Sequence, residues 1–467
     1  MLTAIINIFR IPELRNRVLF TLGMIAIYRI GFWIPLVGVD QGSLADLAQQ
    51  SQEAGSGFGK LLTYVSVFSG GSFQQSTIFG LGIMPYITAA IIFQLLQSAV
   101  PRLQELKKEG ASGQQKITEW TRYATVAMCM IQGFMWLKFM QSQGIVMPQF
   151  RSPAGTMIFF FAGVSALTAG SVFLMWLGEQ IDKFGIGNGV SLILTAGIVS
   201  QMPQAIGWLT QNTSLSLQSG GESSVGVLGL VFLMVAFVIV VAGSILITVA
   251  QRRIPIQQAR HTRGRKTFGG ARHYLPLRVN HAGVMPIIFA SSLLIFPASI
   301  LGYWASSMTP ESPVWLSDTV FFLNRNFEFG EYPYIVLEII LIYFFSYFWT
   351  TVVFSPEDMA QQLRENGSFI PGLRPGPRTA EYLETVVGRI TYVGAGFLAL
   401  IAVIPALVAR YMGIPFFVSS FLGGTGLLIV VSVGLDLVQR VEANLLMRNY
   451  DGLLNSSDAQ RRGSSRS

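Results

Sequence analysis

The chain has 467 residues, of which 51% are hydrophobic and only 12% charged, and its formal net charge is +8. Soluble domains carry about twice that charged share, ~25%, so a water-soluble globular fold of this length is excluded for want of a charged skin. The single cysteine, Cys129, excludes an internal disulfide and a cysteine metal cluster, and in its apolar stretch it reads as a small packing residue.

Arg10, Arg15 and Arg17 lead into a full-length apolar stretch with no small-residue cleavage site behind it, which reads as a retained first span and not a signal peptide. A helix needs ~20 apolar residues to cross the hydrocarbon core. Stretches of that kind lie near 18–38, 76–98, 120–140, 155–177, 189–209, 226–250, 283–304, 333–354, 388–409 and 414–436. Between the first two, 58–73 is apolar but short and carries Gly70-Gly71, which predicts a half-helix that enters without crossing. Such broken backbone survives at membrane depth only where protein or a water-filled cavity surrounds it. The connection 211–225 is polar, Gly/Ser-rich and free of Lys and Arg, and it predicts an external hinge between an N-terminal half, 1–210, and a C-terminal half, 226–440. Residues 441–467 read as a cytoplasmic tail, partly disordered.

Each half holds five predicted spans, an odd number, so the second half sits inverted relative to the first, and inverted halves commonly enclose a path at their interface. The predicted fold is an all-α membrane protein of ten transmembrane helices in two inverted five-helix halves plus a re-entrant plug half-helix. Charge orients it. When connections are assigned alternately to the two sides, only Lys60, Lys138, Arg151, Arg325 and Arg410 of the 32 basic residues fall opposite the N-terminus, while Arg29 and Arg389 lie within span limits. The positive-inside rule then puts both termini in the cytoplasm, as an even number of spans requires.

Little in the sequence promises bond-making chemistry. His261, His273 and His281 lie in or beside one basic loop without HExxH spacing or facing carboxylates, and no G-x-x-x-x-G-K-[ST] occurs. The run Gly185-Ile186-Gly187-Asn188-Gly189 lacks the spacing and the preceding strand of a phosphate cradle and reads as a tight turn into a span. Arg29 and Glu338 are ionisable residues within spans, each a default candidate for an ion path, but both lie toward helix ends, which favours snorkelling or a structural pair. The charge concentrates in two cytoplasmic loops. Residues 252–278 hold Arg252, Arg253, Arg260, Arg263, Arg265, Lys266, Arg272 and Arg278 and no acid, which exceeds what orientation needs and suits an acidic or nucleic-acid partner or anionic lipids. In 355–385, Pro371, Pro375 and Pro377 stiffen a turn that presents Arg374 and Arg378.

Six stretches in chain order carry a resemblance. They are FSGGSFQQSTIFGLGIMPYITAAIIFQLL (68–96), LQELKKEGASGQQKITEWTRYAT (103–125), FLMWLGEQIDKFGIGNGVSLILTAGIVSQMP (173–203), QRRI (251–254), LPLRVNHAGVMPIIFASSLLIFPA (275–298) and FIPGLRPGPRTAEYLETVVGRITYVGA (369–395). Together they resemble the SecY family, the central subunits of bacterial protein-conducting channels. The resemblance implies a protein translocase channel that passes unfolded secretory polypeptides across the cytoplasmic membrane and releases transmembrane segments sideways into lipid.

It also implies roles for particular residues. The segment 58–75, with Phe58, Leu61, Leu62, Tyr64, Val65, Phe68, Gly70 and Gly71, would be a movable plug. Ile83, Ile87, Ile186, Val190, Leu194, Ile288 and Ile429 would form an apolar pore ring, in which Val190 and Leu194 depart from the family's isoleucine and Leu194 is the least secure member. A lateral gate would lie between the helices of 76–98 and 283–304. The basic loops would receive the ribosome or the SecA motor ATPase, which supplies the energy, and small SecE-like and SecG-like membrane subunits would complete the channel around signal peptides and nascent polypeptide. No cofactor or metal is implied, nor catalysis by this chain. Physical reasoning agrees: a translocating chain carries every side-chain type, so a short apolar constriction that grips nothing suits its passage. A secondary transporter is the competing reading, but it would need polar or charged midplane residues where this sequence has isoleucines. An intramembrane enzyme lacks a nucleophile and base at plausible spacing.

Overall fold

The computed structural model describes residues 11–44, 76–142, 144–213, 226–258, 261–263, 266–268, 272–308, 313–327, 331–412, 414, 418–419, 421 and 426–443. Its helices in the first half are α1 (Pro12–Gly31), α2 (Met84–Ala99), α3 (Pro101–Lys108), α4 (Ala111–Ser142), α5 (Pro153–Phe184), α6 (Gly189–Ser200) and α7 (Met202–Asn212). In the second half they are α8 (Val227–Val249), α9 (Met285–Ser307), α10 (Val314–Asn326), α11 (Tyr332–Val353), α12 (Pro356–Glu365), α13 (Pro377–Met412) and α14 (426–443). Helical residues fall within every predicted span. Among the described residues, five helical stretches are long and apolar enough to cross a membrane: Pro153–Phe184, Gly189–Asn212, Val227–Val249, Tyr332–Glu365 and Pro377–Ile404.

The helix starts follow from local chemistry. Ser152 caps α5, its Oγ accepting from the Gly155 N–H at 3.1 Å with Pro153 just behind, and Asn188 caps α6, its Oδ1 accepting from the Ser191 N–H at 3.0 Å. Ser355 caps α12 in the same way, with Glu357 and Asp358 in the first turn facing the positive end of the helix dipole. Burial follows the solvent that composition demands. Helix α8 is apolar all round yet buries only Leu233, Val240, Ser244 and Ile247, leaving residues such as Leu228, Val238 and Leu246 on a surface suited to lipid.

Two spans begin or end differently from expectation. Helix α1 stops at Gly31, and the predicted span 76–98 becomes helical only at Met84. Residues 76–83 are turns, because Gly80 and Gly82 (φ +59°) break the backbone and Pro85 starts the helix. This irregular piece is hydrogen-bonded to the chain after α1: Leu36 N–H donates to Ser76 O at 2.9 Å, and Ile78 N–H to Ile34 O at 3.1 Å. It also packs tightly on α5, where a Cβ on Gly170 would lie 2.2 Å from the Ile78 carbonyl oxygen.

The predominantly helical fold also carries a few short strands that the sequence analysis did not anticipate. The basic loop after α8 is a β-hairpin, β1 (Gln251–Gln258) pairing antiparallel with β4 (Arg272–Arg278) in the register Gln251↔Arg278 to Gln257↔Arg272. Two further short strands, β2 (His261–Arg263) and β3 (Lys266–Phe268), pair with each other between them. From the other basic loop, β5 (Ser368–Phe369) adds to β1 at Gln257↔Phe369, giving a three-stranded sheet in the order β4-β1-β5.

Candidate functional site

Two regions hold the residues singled out in the sequence. The first is an apolar cluster in which both halves take part. Ile83, Ile87, Leu194, Ile288 and Ile429 are all buried in it, and Val190 packs against its edge. Helices α1 and α5 contribute Tyr28 and Leu177, and α11 and α13 contribute Ile342 and Leu398. These residues come from segments far apart in sequence, so the cluster is where the two halves face each other. A surface built this way offers a passing chain no specific polar partner, and water confined against it loses hydrogen bonds that the walls cannot replace.

Ile186 is not part of that cluster. It is buried in a separate one with Leu14 and Val441, beside Leu437, because the Gly185–Gly189 turn is wedged between α1 and α14 and sets its side chain toward them. The structure thus sets Ile186 apart from the other residues expected in the ring. Leu194, the least secure member in the sequence, lies well inside the cluster. The expected plug residues Phe58, Leu61, Leu62, Tyr64, Val65, Phe68, Gly70 and Gly71 lie outside the described residues, as do Arg260, Arg265 and positions 214–225 of the expected hinge.

The second region is the sheet built from the two basic loops. Ile254 and Leu277 turn inward onto Phe354, Ile370, Leu383 and Val386, and Ile256 is also buried, while Arg252, Arg253 and Arg278 are exposed. Arg278 also donates to Gln439 Oε1 on α14 at 3.1 Å. Arg263, Lys266 and Arg272 fall on strands of this hairpin. Arg374 and Arg378 are exposed on the turn after β5, which Gly372 (φ +87°) and Gly376 (φ +120°) allow and Thr379 Oγ1 fastens by donating to Arg374 O at 3.0 Å. The β1–β5 pairing therefore joins the two basic loops into one surface. Beside it, α11, α12 and α13 line a cleft of about 1150 Å³ whose walls carry Glu357, Glu365, Glu381 and Glu384.

The two ionisable residues within spans diverge. Arg29 is exposed at the end of α1, its guanidinium 5.3 Å from the Phe32 ring centroid, in keeping with a side chain that reaches for the interface. Glu338 does not snorkel: it is 2% exposed, and its Oε2 has no hydrogen-bond partner among the described residues. Among the described residues no group of His, Cys, Asp and Glu is arranged to hold a metal ion.

Comparison with known proteins agrees with this geometry. The SecY family matches residues 77–438. The protein translocase subunit SecY of Chlamydia trachomatis is 40% identical over 457 residues, covering 96% of this chain and 97% of the relative. That of Streptomyces scabiei is 40% identical over 463 residues, covering 97% and 100%. That of Pseudomonas aeruginosa is 38% identical over 454 residues, covering 97% and 96%. Among solved structures, one described as the structure of a protein conducting channel superimposes with a TM-score of 0.57 at 17% identity, covering 92% of each chain. Another, Sec61 in a canine ribosome-channel complex from the endoplasmic reticulum, gives 0.56 at 17% identity over the same shares. At that identity the structures speak for the fold, whereas the relatives near 40% span the whole length, and the chain belongs to the SecY family of protein translocase subunits.

Proposed function

We propose that the chain is the pore-forming subunit of a protein-conducting channel, passing unfolded secretory polypeptides across a bacterial cytoplasmic membrane and releasing transmembrane segments sideways into lipid. The observation that carries this is the apolar cluster shared by the two halves, with Ile83, Ile87, Leu194, Ile288 and Ile429 buried in it and a basic sheet outside it. Ten spans with both termini in the cytoplasm, a plug at 58–75 and a hinge at 211–225 complete the reading, supported by span lengths and by the bias of Lys and Arg. The path is passive, and energy comes from a ribosome or a SecA-like motor docked on the sheet. The ribosome is favoured as a partner by the ribosome-bound Sec61 complex among the structural neighbours. Small SecE-like and SecG-like subunits and anionic lipids are the expected companions in the membrane.

The test is translocation in proteoliposomes holding the purified channel complex, with the motor and an unfolded secretory substrate added outside. Protease-protected substrate that requires this chain is the expected result. Protection that is unchanged when the chain is omitted overturns the proposal.

A further inference from the structure

Ile186 lies between α1 and α14, the first and last helices among the described residues. Its side chain is 4% exposed against Leu14 and Val441, with Val18 and Leu437 around it. The backbone is held as firmly. The Ile186 N–H donates to Thr21 Oγ1 at 3.1 Å, and that hydroxyl donates on to Arg17 O at 2.9 Å. Gly187, at φ +100°, holds a left-handed backbone conformation that suits glycine and lies beside Leu437.

The same turn starts α6. The Gly189 N–H donates to Asp182 Oδ1 at 2.7 Å, and Asp182 lies within electrostatic reach of Arg440 on α14. One turn into α6 come Val190 and Leu194, at the edge and inside of the apolar cluster. On its other side α14 meets the basic sheet through Gln439 and Arg278. Contacts therefore run without a break from the docking sheet, through α14 and the turn, to a helix of the constriction.

We infer that the Gly185–Gly189 turn is a clasp joining the two halves on the cytoplasmic side. Ile186 is its positioning residue: it seats the start of α6 against α14 and so keeps the constriction closed, without lining the pore. The role rests on the channel reading, but the location of the side chain does not.

Cysteine placement separates the two. In a Cys129→Ser background, Ile186→Cys combined with Val441→Cys should be joined by a short bifunctional thiol reagent. Ile186→Cys alone should fail to capture a stalled polypeptide that Leu194→Cys captures. Resting ion conductance should rise several-fold in Ile186→Ser and stay at the parental level in Ile186→Leu, which restores the apolar contact. Capture of the polypeptide by Ile186→Cys as efficiently as by Leu194→Cys overturns the clasp. So does parental conductance in an assembled Ile186→Ser channel. If Ile186→Ser does not assemble, the cysteine pair and the capture experiment decide alone, and failure to join Ile186→Cys to Val441→Cys counts against the clasp. Failure of the channel reading looks different: Leu194→Cys captures nothing although the cysteine pair forms.

Discussion

The apolar cluster between the halves and the sheet on the cytoplasmic loops use similar side chains facing opposite ways. On the proposed reading the apolar residues of the cluster are themselves the working surface, and Ile83 or Leu194 sits among many other buried apolar side chains that share the task. In the sheet, the buried Ile254 and Leu277 are a support, and the working groups on the proposed reading are the exposed guanidinium ions of Arg252, Arg253 and Arg278. Function in the first region is therefore distributed and tied to packing. In the second it is concentrated in single charged residues that contribute little to stability, since exposed charges and their pairs are worth ~0–1 kcal/mol.

The sharpest way to break the membrane region is at a backbone contact that no neighbour can relieve. A Cβ on Gly189 would lie 2.0 Å from the Gly178 carbonyl oxygen of α5, so Gly189→Ala should cost about 3 kcal/mol or more through overpacking and lower the yield of folded channel severely. Fluorescence-detected size exclusion after mild heating would read this, and a parental profile would show that the α5–α6 contact is softer than it looks. The cytoplasmic region should behave in the opposite sense. Arg374→Glu should abolish polypeptide translocation while leaving the same size-exclusion profile intact, because the residue is an exposed turn tip. Normal translocation by that variant would remove the sheet from the docking account.

A smaller effect is expected at the junction of the two regions. His281 lies between β4 and α9, its ring centroid 5.5 Å from that of Phe354 and its Nδ1 without a hydrogen-bond partner. Burial holds the imidazole below its ordinary value, opposed by a backbone hydrogen bond at Arg278 and reinforced by the Arg278 charge. The folded state thus resists a proton that the unfolded chain accepts near pH ~6.5. Stability from this group is fully present above that pH and is lost as pH falls through it. The melting temperature should decline between neutral and mildly acidic pH by more in the parent than in His281→Phe, and equal slopes would show that His281 is not the group responsible.

Most of the membrane architecture was legible because lipid imposes a simple code. Long apolar runs mark helices without reference to tertiary contacts. Turn chemistry was legible too, as at Gly185–Gly189. The sheet was not anticipated, because charge dominated the reading of 252–278 and hid the alternation of Ile254 and Ile256 with exposed neighbours, a period-two pattern that could have revealed β1. The burial of Ile186 beside Leu14 and Val441 was not legible, because a motif match says nothing of which way a tight turn points a side chain. The burial of Glu338 was missed for a related reason: depth along a helix is readable from sequence, but the face that packs against neighbours is set by tertiary contacts.

The central claim is that the apolar cluster between the halves is the barrier through which polypeptide passes and ions do not. It is tested most directly by single-channel conductance of resting channels in planar bilayers, with Ile83, Ile87 and Ile288 replaced together by Ser and residues 58–75 deleted. The account predicts a large steady ion current from these channels. It predicts none from channels carrying the same deletion with the lipid-facing residues Ile239, Leu246 and Val238 replaced by Ser instead, all of which are exposed on α8. A resting channel that stayed ion-tight without both cluster residues and the 58–75 segment would contradict it.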